Sequence, residues 1–428
     1  MNEENATAGA EETLAGARAP VLFRGAVHGL LSRIAEGRLT LSDAWGTVTF
    51  GDPTAKLAAE VSVHDARAYR QAVLGGDVGF AEGYIDGAWS SPDLARVTRL
   101  AVRNLSAFNA GASATASVST LVNRVLHFLN RNTERGSRRN IAAHYDLGNA
   151  FYRLFLDEQL VYSAAVFPTP EASLEAAQVE KLDRICRKLR LGPGHHLLEI
   201  GTGWGAFAIH AARRTGCRVT TTTISPSQYA HAKARIAEEG LGDRVTLLLE
   251  DYRKLTGTFD RIVSIEMFEA VGFANYDTYF RAVDRLLAPD GSMLLQTITL
   301  PEQRFAAYRR QPDFIQTHVF PGAELASLSG IARSLARVSD LTILSLEDIG
   351  LHYARTLRVW RERFHARLRE VRAQGFDERF VRLWDYYLAY CESAFAERAI
   401  GDAQLVLVKN LAAAPLLDEL PPGGESRS

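Results

Sequence analysis

The residues with the clearest chemical purpose are Leu198-Glu199-Ile200-Gly201-Thr202-Gly203-Trp204-Gly205. They end an apolar run and open a helical one. Glycines at such a junction let the backbone approach a ligand and leave the first helix amides facing it. The spacing G-x-G-x-G, with the acid Glu199 just ahead, differs from the dinucleotide fingerprint G-x-G-x-x-G. Polar groups follow at the ends of the next two apolar runs. Thr223-Ile224-Ser225-Pro226-Ser227-Gln228 stands where a ribose would lie in a doubly wound sheet. Glu250-Asp251-Tyr252 stands where an adenine would lie: Asp251 can accept from an exocyclic amine, and Tyr252 can cover the ring. Each group alone reads as a cap or a loop. In order, at successive strand ends, they read as one nucleoside site. His195-His196 has no carboxylate or cysteine at ligand spacing, so no metal is expected.

These groups need a scaffold. From about residue 140, apolar strand-like runs alternate with amphipathic helical ones: HHLLEIG, AFAIHAARRTG, RVTTTTIS, QYAHAKARIAEEGLG, RVTLLLED, FDRIVSIEMFE, YDTYFRAVDRLLAPDG and SMLLQTITL. This alternation argues for a parallel, doubly wound α/β sheet. Residues 345–400 then read as mostly helical and aromatic-rich, with Arg358, Arg361, Arg363, Arg367, Arg369 and Arg372 lining the first helix. The run DAQLVLVKN closes the sheet. Ahead of all this, RLTLSDAWGTVTFGDP alternates as a half-buried strand pair does. It opens a small α+β module in which Phe80, Tyr84 and Trp89 read as core.

Other segments carry the family resemblance. They are His144-Tyr145-Asp146-Leu147-Gly148-Asn149, Tyr162-Ser163-Ala164-Ala165-Val166-Phe167, Met267-Phe268-Glu269-Ala270-Val271-Gly272, Tyr276-Asp277-Thr278-Tyr279-Phe280, Phe320-Pro321-Gly322 and Gly350-Leu351-His352-Tyr353-Ala354-Arg355-Thr356-Leu357. With the glycine loop, which resembles the first motif of class I methyltransferases, they resemble the cyclopropane-fatty-acyl-phospholipid synthases and the related mycolic acid cyclopropane synthases. Gly79-Phe80-Ala81-Glu82-Gly83-Tyr84-Ile85-Asp86-Gly87 and Trp89 resemble the N-terminal domain of the bacterial phospholipid enzymes. The resemblance implies a Rossmann-like methyltransferase domain with helical lipid-binding insertions, plus a small N-terminal α+β domain. It implies S-adenosylmethionine as methyl donor, held by Tyr162, Ser163, Glu199, Gly201, Gly203, Gly205, Thr223, Ile224, Gln228, Asp251 and Tyr252. It also implies unsaturated membrane phospholipids as substrate and a homodimer.

The implied chemistry explains the residue types. Methyl transfer to a cis double bond leaves a carbocation, which needs a dry pocket and aromatic faces. Tyr279, Phe280, Phe314, Phe320, Tyr353 and Trp360 are candidates. A base must then remove a proton from the new methyl so that the ring closes. In the family that base is a bound bicarbonate, held by a Cys, a Glu, a His, a backbone amide and a Tyr. Carried over, Glu269 and Tyr353 match, and Ile298 supplies the amide. Ala164 stands at the Cys position and Gln296 at the His position. Gln donates a hydrogen bond but cannot become cationic. Similar departures occur among relatives that make methyl- or methylene-branched chains, so a branched product is the alternative to a cyclopropane.

Composition sets the remaining bounds. Lys+Arg 49 against Asp+Glu 50 gives a net charge of -1, which provides no field for nucleic acid. Three scattered cysteines build neither a disulfide framework nor a zinc site and fit a reducing compartment. No apolar run is long enough to span a bilayer, and the N-terminus lacks a signal-peptide pattern. A cytoplasmic protein, peripherally bound to the inner face of the membrane, is expected. The basic, apolar-striped segment 121–139 reads as a contact for anionic headgroups. The expected divisions are a disordered lead 1–19, an N-terminal accessory domain with linker 20–120, the methyltransferase domain 121–412 and a disordered tail 413–428.

Overall fold

A computed structural model describes residues 21–109, 147–310 and 312–409. The expected lead, tail and basic segment 121–139, and the His144 motif up to Asp146, lie outside the described residues. The chain divides into two units. The first comprises residues up to Lys181 with Ile298–Ser327 and Asp348–Asp402; the second comprises Leu182–Thr297, Leu328–Glu347 and the residues from Ala403 onward.

The first unit begins with a four-stranded sheet: β1 (Arg38–Asp43), β2 (Gly46–Gly51), β3 (Ala58–Val63) and β4 (Trp89–Ser90), in the order β2-β1-β3-β4. Strand periodicity puts Leu39, Leu41, Ala59 and Val61 on the buried face. The β1–β2 turn is closed by Asp43, whose carboxylate accepts from the Trp45 amide at 2.9 Å. Trp89 stacks on Phe80 with centroids 4.4 Å apart and packs against Tyr84 at 5.0 Å, the core role the sequence suggests.

Tyr84 has a second task. Its hydroxyl donates to Asp385 at 2.6 Å, on the helix Glu378–Ala396. The other Asp385 oxygen accepts from Arg361 Nε at 2.6 Å and pairs with His365 Nε2 at 2.7 Å, both on the helix Gly350–Ala366. Burial alone would raise the Asp385 carboxyl. The hydrogen bonds from His365, Arg361 and Tyr84, with the charge of Arg361, outweigh burial and hold it below the usual range. Thr98 pairs with Ser393 at 2.6 Å, and Arg99 and Arg103 bond Glu397 at 2.6 and 2.7 Å. These bonds fasten the N-terminal module to the long C-terminal helix. Arg361 is thus a half-buried structural cation, and Arg369 and Arg372 do not line the first helix as expected but belong to a separate short one, Leu368–Ala373.

The second unit is built on a seven-stranded sheet: β5 (His196–Ile200), β6 (Arg218–Thr223), β7 (Val245–Leu249), β8 (Phe259–Ile265), β9 (Leu287–Thr299), β10 (Leu341–Asp348) and β11 (Gly401–Lys409). Their order is β10-β11-β9-β8-β5-β6-β7. Pairs β5–β6, β6–β7, β5–β8 and β8–β9 are parallel. From β5 the chain winds outward through β6 and β7, and returns to β8 on the other side of β5. The switch point therefore lies between β5 and β8, where doubly wound sheets bind ligands. β10 has no counterpart in the sequence reading. Its Leu344 and Leu346 are exposed, so the local pattern lacks a buried face. Behind β5, Leu197, Phe207, Ile209, Val219 and Val263 form part of one apolar cluster.

The Asp385 cluster generates a stability prediction. Asp385→Asn keeps the size and removes the charge facing Arg361, which should cost about 3 kcal/mol, as for a broken buried pair. A depressed carboxyl stabilises above its unfolded pKa of about 3.9 and loses that contribution as pH falls through its folded value. Urea unfolding should therefore show a lower midpoint for the variant at pH 7, with the gap narrowing below about pH 4.

Candidate functional site

The glycine loop leaves the C-terminal end of β5 and enters the helix Ala206–Thr215. Gly203 has φ 53, and a Cβ built there meets nothing within 4 Å. Gly205 has φ 88, but a Cβ there would press on Ala232 at 3.2 Å. The two glycines therefore serve different ends: Gly205 lets the helix seat, and Gly203 faces open space that a ligand can fill.

β6 supports this loop through its run of threonines. Thr221 donates to Glu199 at 2.5 Å and bonds Thr202 at 2.7 Å. The amides of Gly201 and Thr202 both donate to the Thr222 carbonyl at 3.0 Å. Glu199 is thereby fixed at 3% exposure under the loop. At the end of β6, Thr223 donates to Gln228 Oε1 at 3.0 Å. Ser225 caps the helix Pro226–Glu238, accepting from the Gln228 amide, with Pro226 in its first turn. Ile224 is half-buried between them.

After β7, Asp251 accepts from the backbone amide of Arg253 at 3.0 Å and from its guanidinium at 2.8 and 2.6 Å. Burial would raise Asp251, yet these bonds and the Arg253 charge hold it below the usual carboxylate range. The carboxylate is thus ionised and oriented, ready to accept. Tyr252 lies 5.3 Å from Tyr279, and burial pushes its phenol up to about 12. Because β5, β6 and β7 are parallel neighbours, their C-terminal ends share one edge. The sheet thus brings Glu199, Gly201, Gly203, Gly205, Thr223, Ile224, Gln228, Asp251 and Tyr252 to a single rim.

Glu269 follows β8 on the short helical turn Phe268–Ala270, and its carboxylate accepts from Thr297 Oγ1 at 2.8 Å. Gln296 is fully buried on β9. Its Nε2 donates to Glu266 at 2.8 Å, while its Oε1 accepts from Gln404 at 3.0 Å. Gln404 in turn accepts from Lys188 at 2.7 Å. Glu266 has φ 47, a left-handed conformation unusual for a residue with a side chain. Glu266, Gln404 and Thr297 escaped the sequence reading. Only the polar character of Gln296 and Gln404 inside apolar strands hinted at a buried network.

The remaining expected residues belong to the first unit. Tyr162 shares a hydroxyl hydrogen bond with Tyr387 at 2.9 Å, and its ring lies 5.3 Å from Trp360. Ser163 is 5% exposed and bonded to Lys181. Ala164 is fully buried, and Ile298 accepts from the Ala326 amide at 2.9 Å. Tyr353 stacks on Phe395 at 4.5 Å and meets Trp360 edge-on at 6.1 Å. Among the described residues no His, Cys, Asp and Glu group could hold a metal.

The residues present fit a nucleoside cofactor: an open cradle at Gly203, an oriented acceptor at Asp251 and an amide at Gln228. Gly203→Val should abolish S-adenosylmethionine binding in calorimetry while the circular dichroism spectrum stays unchanged, because the side chain occupies the cradle. Binding of ordinary affinity by the folded variant would remove the loop from the site.

Residues 132–405 match the mycolic acid cyclopropane synthetase family. The chain is 39% identical over 393 residues to the tuberculostearic acid methyltransferase UfaA1 of Mycobacterium tuberculosis, covering 87% of each chain. It is 36% identical over 357 residues to the cyclopropane-fatty-acyl-phospholipid synthase of Escherichia coli, covering 82% of this chain and 88% of the other. The mycolic acid cyclopropane synthase CmaA1 complexed with SAH and CTAB superposes with TM-score 0.60 and 33% identity, covering 64% of this chain and 98% of that one. With its sheet, its glycine loop and most of its length in agreement, the chain belongs to the cyclopropane synthase family of S-adenosylmethionine-dependent methyltransferases.

Proposed function

We propose that this enzyme methylates the cis double bond of an unsaturated acyl chain in a membrane phospholipid and closes a cyclopropane ring there. One observation carries the reading. The rim that fits the cofactor is joined to a chain that matches two enzymes named for fatty acyl products over more than four-fifths of its length. When bound, S-adenosylmethionine supplies an electrophilic methyl group. The alkene's π pair forms the new carbon–carbon bond, and the carbon–sulfur pair leaves with sulfur. The acyl chain then carries a cation. Buried aromatic faces, Trp360 at 0% exposure and Tyr353 at 6% among them, exclude water and stabilise positive charge.

Ring closure needs a proton acceptor. Glu269 is assigned to orient it, with its own carboxylate held by Thr297. Tyr353, the Ile298 amide and Gln296 complete the proposed holders of a bicarbonate base. One finding favours a second product. Gln296 Nε2 already donates to Glu266, and Ala164 offers no thiol, so the acceptor is held more weakly than in the family pattern. A weakly held base leaves the cation to lose a proton from a neighbouring chain carbon, which gives a methyl-branched alkene, or to shift a hydride first and then lose a methyl proton, which gives a methylene branch. The reading includes reversible docking to the inner face of the membrane and a homodimer. No helix among the described residues is long and apolar enough to cross a membrane.

Expression in a host lacking its own synthase, followed by fatty acid analysis, separates the products. A cyclopropane chain supports the first reading; a branched chain replaces it with the second; unchanged fatty acids remove both. For the base, Glu269→Ala should lower turnover by about 100-fold, on the scale of general acid–base catalysis. Its affinity for S-adenosylmethionine should stay the same by calorimetry. Full activity of the variant in bicarbonate-depleted buffer would exclude Glu269 from proton removal.

A further inference from the structure

The segment Val161–Phe167 is held from beneath by polar side chains that the proposed function leaves without a task. It begins after Leu160, which has φ 58, a strained conformation for a leucine. Asp157 accepts from the Val161 amide at 2.7 Å and the Gln159 amide at 3.2 Å. Gln178, fully buried, donates to the Ser163 carbonyl at 3.0 Å. Thr356 accepts from the Ala165 amide at 3.1 Å, and His352 Nδ1 accepts from the Phe167 amide at 3.2 Å. One turn along from Gln178, Lys181 sends its ammonium to Ser163 Oγ at 2.8 Å, and only 1% of Lys181 is exposed.

That last bond decides the chemistry at Ser163. An ammonium has donors and no acceptor. Ser163 Oγ must therefore accept from Lys181, and its own proton must point elsewhere. Ser163 is 5% exposed, and among the described residues nothing accepts that proton. A buried donor without an acceptor indicates a missing partner. The charge behind it selects the partner's sign. A buried ammonium polarises the hydroxyl and favours a negatively charged acceptor. The nearby carboxylate competes weakly: burial pushes Asp157 up, although Lys181 and the two backbone amides oppose the rise.

We propose that Lys181, acting through Ser163, is a positioning residue for a carboxylate-type oxyanion bound at the Ser163 hydroxyl. This rests on the reading of Ser163 as a cofactor contact. Two sources share the chemistry: the amino-acid carboxylate of S-adenosylmethionine, and a bicarbonate. A buried cation at this position also explains why helix Leu174–Lys188 carries a lysine on the buried face it shares with Leu174, Ala177 and Ile185.

The test uses two nucleosides that differ in the carboxylate. S-adenosylhomocysteine carries it, and 5′-methylthioadenosine does not. If the cofactor supplies the anion, Lys181→Met should weaken S-adenosylhomocysteine by about tenfold or more, the scale of a charge-assisted hydrogen bond. Methylthioadenosine affinity should not change. If bicarbonate supplies it, S-adenosylhomocysteine affinity stays the same and the bicarbonate needed for half-maximal turnover rises about tenfold. Ser163→Ala should reproduce whichever effect appears, and it serves alone if Lys181→Met does not fold. The double variant should be no worse than the single ones, since the two residues act as one unit. Wild-type constants for both ligands in folded Lys181→Met overturn the proposal, as does equal weakening of both nucleosides, which marks a general disturbance. The underlying reading fails separately: Gly203→Val that still binds both nucleosides refutes the cofactor site whatever Lys181 does.

Discussion

A backbone that passes within contact distance of a ligand can carry no side chain at the point of approach, and it must be held by something other than its own packing. That constraint organises the second unit. The loop after β5 satisfies it with Gly203 at the open position and with amides anchored on the carbonyl of Thr222. The anchoring strand, β6, has to be rigid and also polar. Four consecutive threonines meet both demands. Their β-branched side chains suit a strand, and their hydroxyls reach in turn His196, Glu199, the Glu250 carbonyl and Gln228. Valine would keep the strand and lose all four bonds. The polarity of this buried strand therefore belongs to the site rather than to the fold.

The first unit answers a different problem, the fastening of an N-terminal module to helices nearly 300 residues later in the chain. It uses charge inside the protein, which is costly unless every group is matched. Asp385 meets the condition with three donors at 2.6 to 2.7 Å, and Glu397 with two arginines. Such matched clusters are weak devices for raw stability and strong ones for register. A helix that slipped by one turn would leave a buried carboxylate facing nothing.

Much of the second unit was legible in the sequence because its signals are local. Gly201 to Gly205 lie within five residues, and the groups around Gln228 and Asp251 each close hydrogen bonds over two to five positions. The alternation of strands and helices is equally local. What stayed hidden spans long separations. Tyr84 and Asp385 are 301 residues apart, and Gln296 and Gln404 are 108 apart. No spacing rule links such pairs. Arg361 appeared only as one of six arginines on a helix, because the carboxylate it meets, Asp385, lies on another helix. β10 was missed for the opposite reason: exposed leucines on a strand imitate no pattern that has an inside and an outside. Gln296 was read from its family position as an anion donor, whereas its amide is engaged by two neighbours that only the fold brings near.

The helix Leu174–Lys188 joins these lessons. Gln178, Lys181 and Lys188 lie within one face of it, since steps of three and seven residues return nearly to the same side. In the structure Gln178 and Lys181 are buried, and Lys188 is mostly so. Gln178 and Lys181 hold the loop around Ser163, and Lys188 begins the chain of amides that ends at Glu266. The boundary between the two units falls directly after Lys181. A helix with three buried polar groups is a poor choice for stability alone, because each would be cheaper as a leucine. Two of them bond Ser163 and the third bonds Gln404, the neighbour of Gln296, so the violations of local pattern fall beside the candidate site residues.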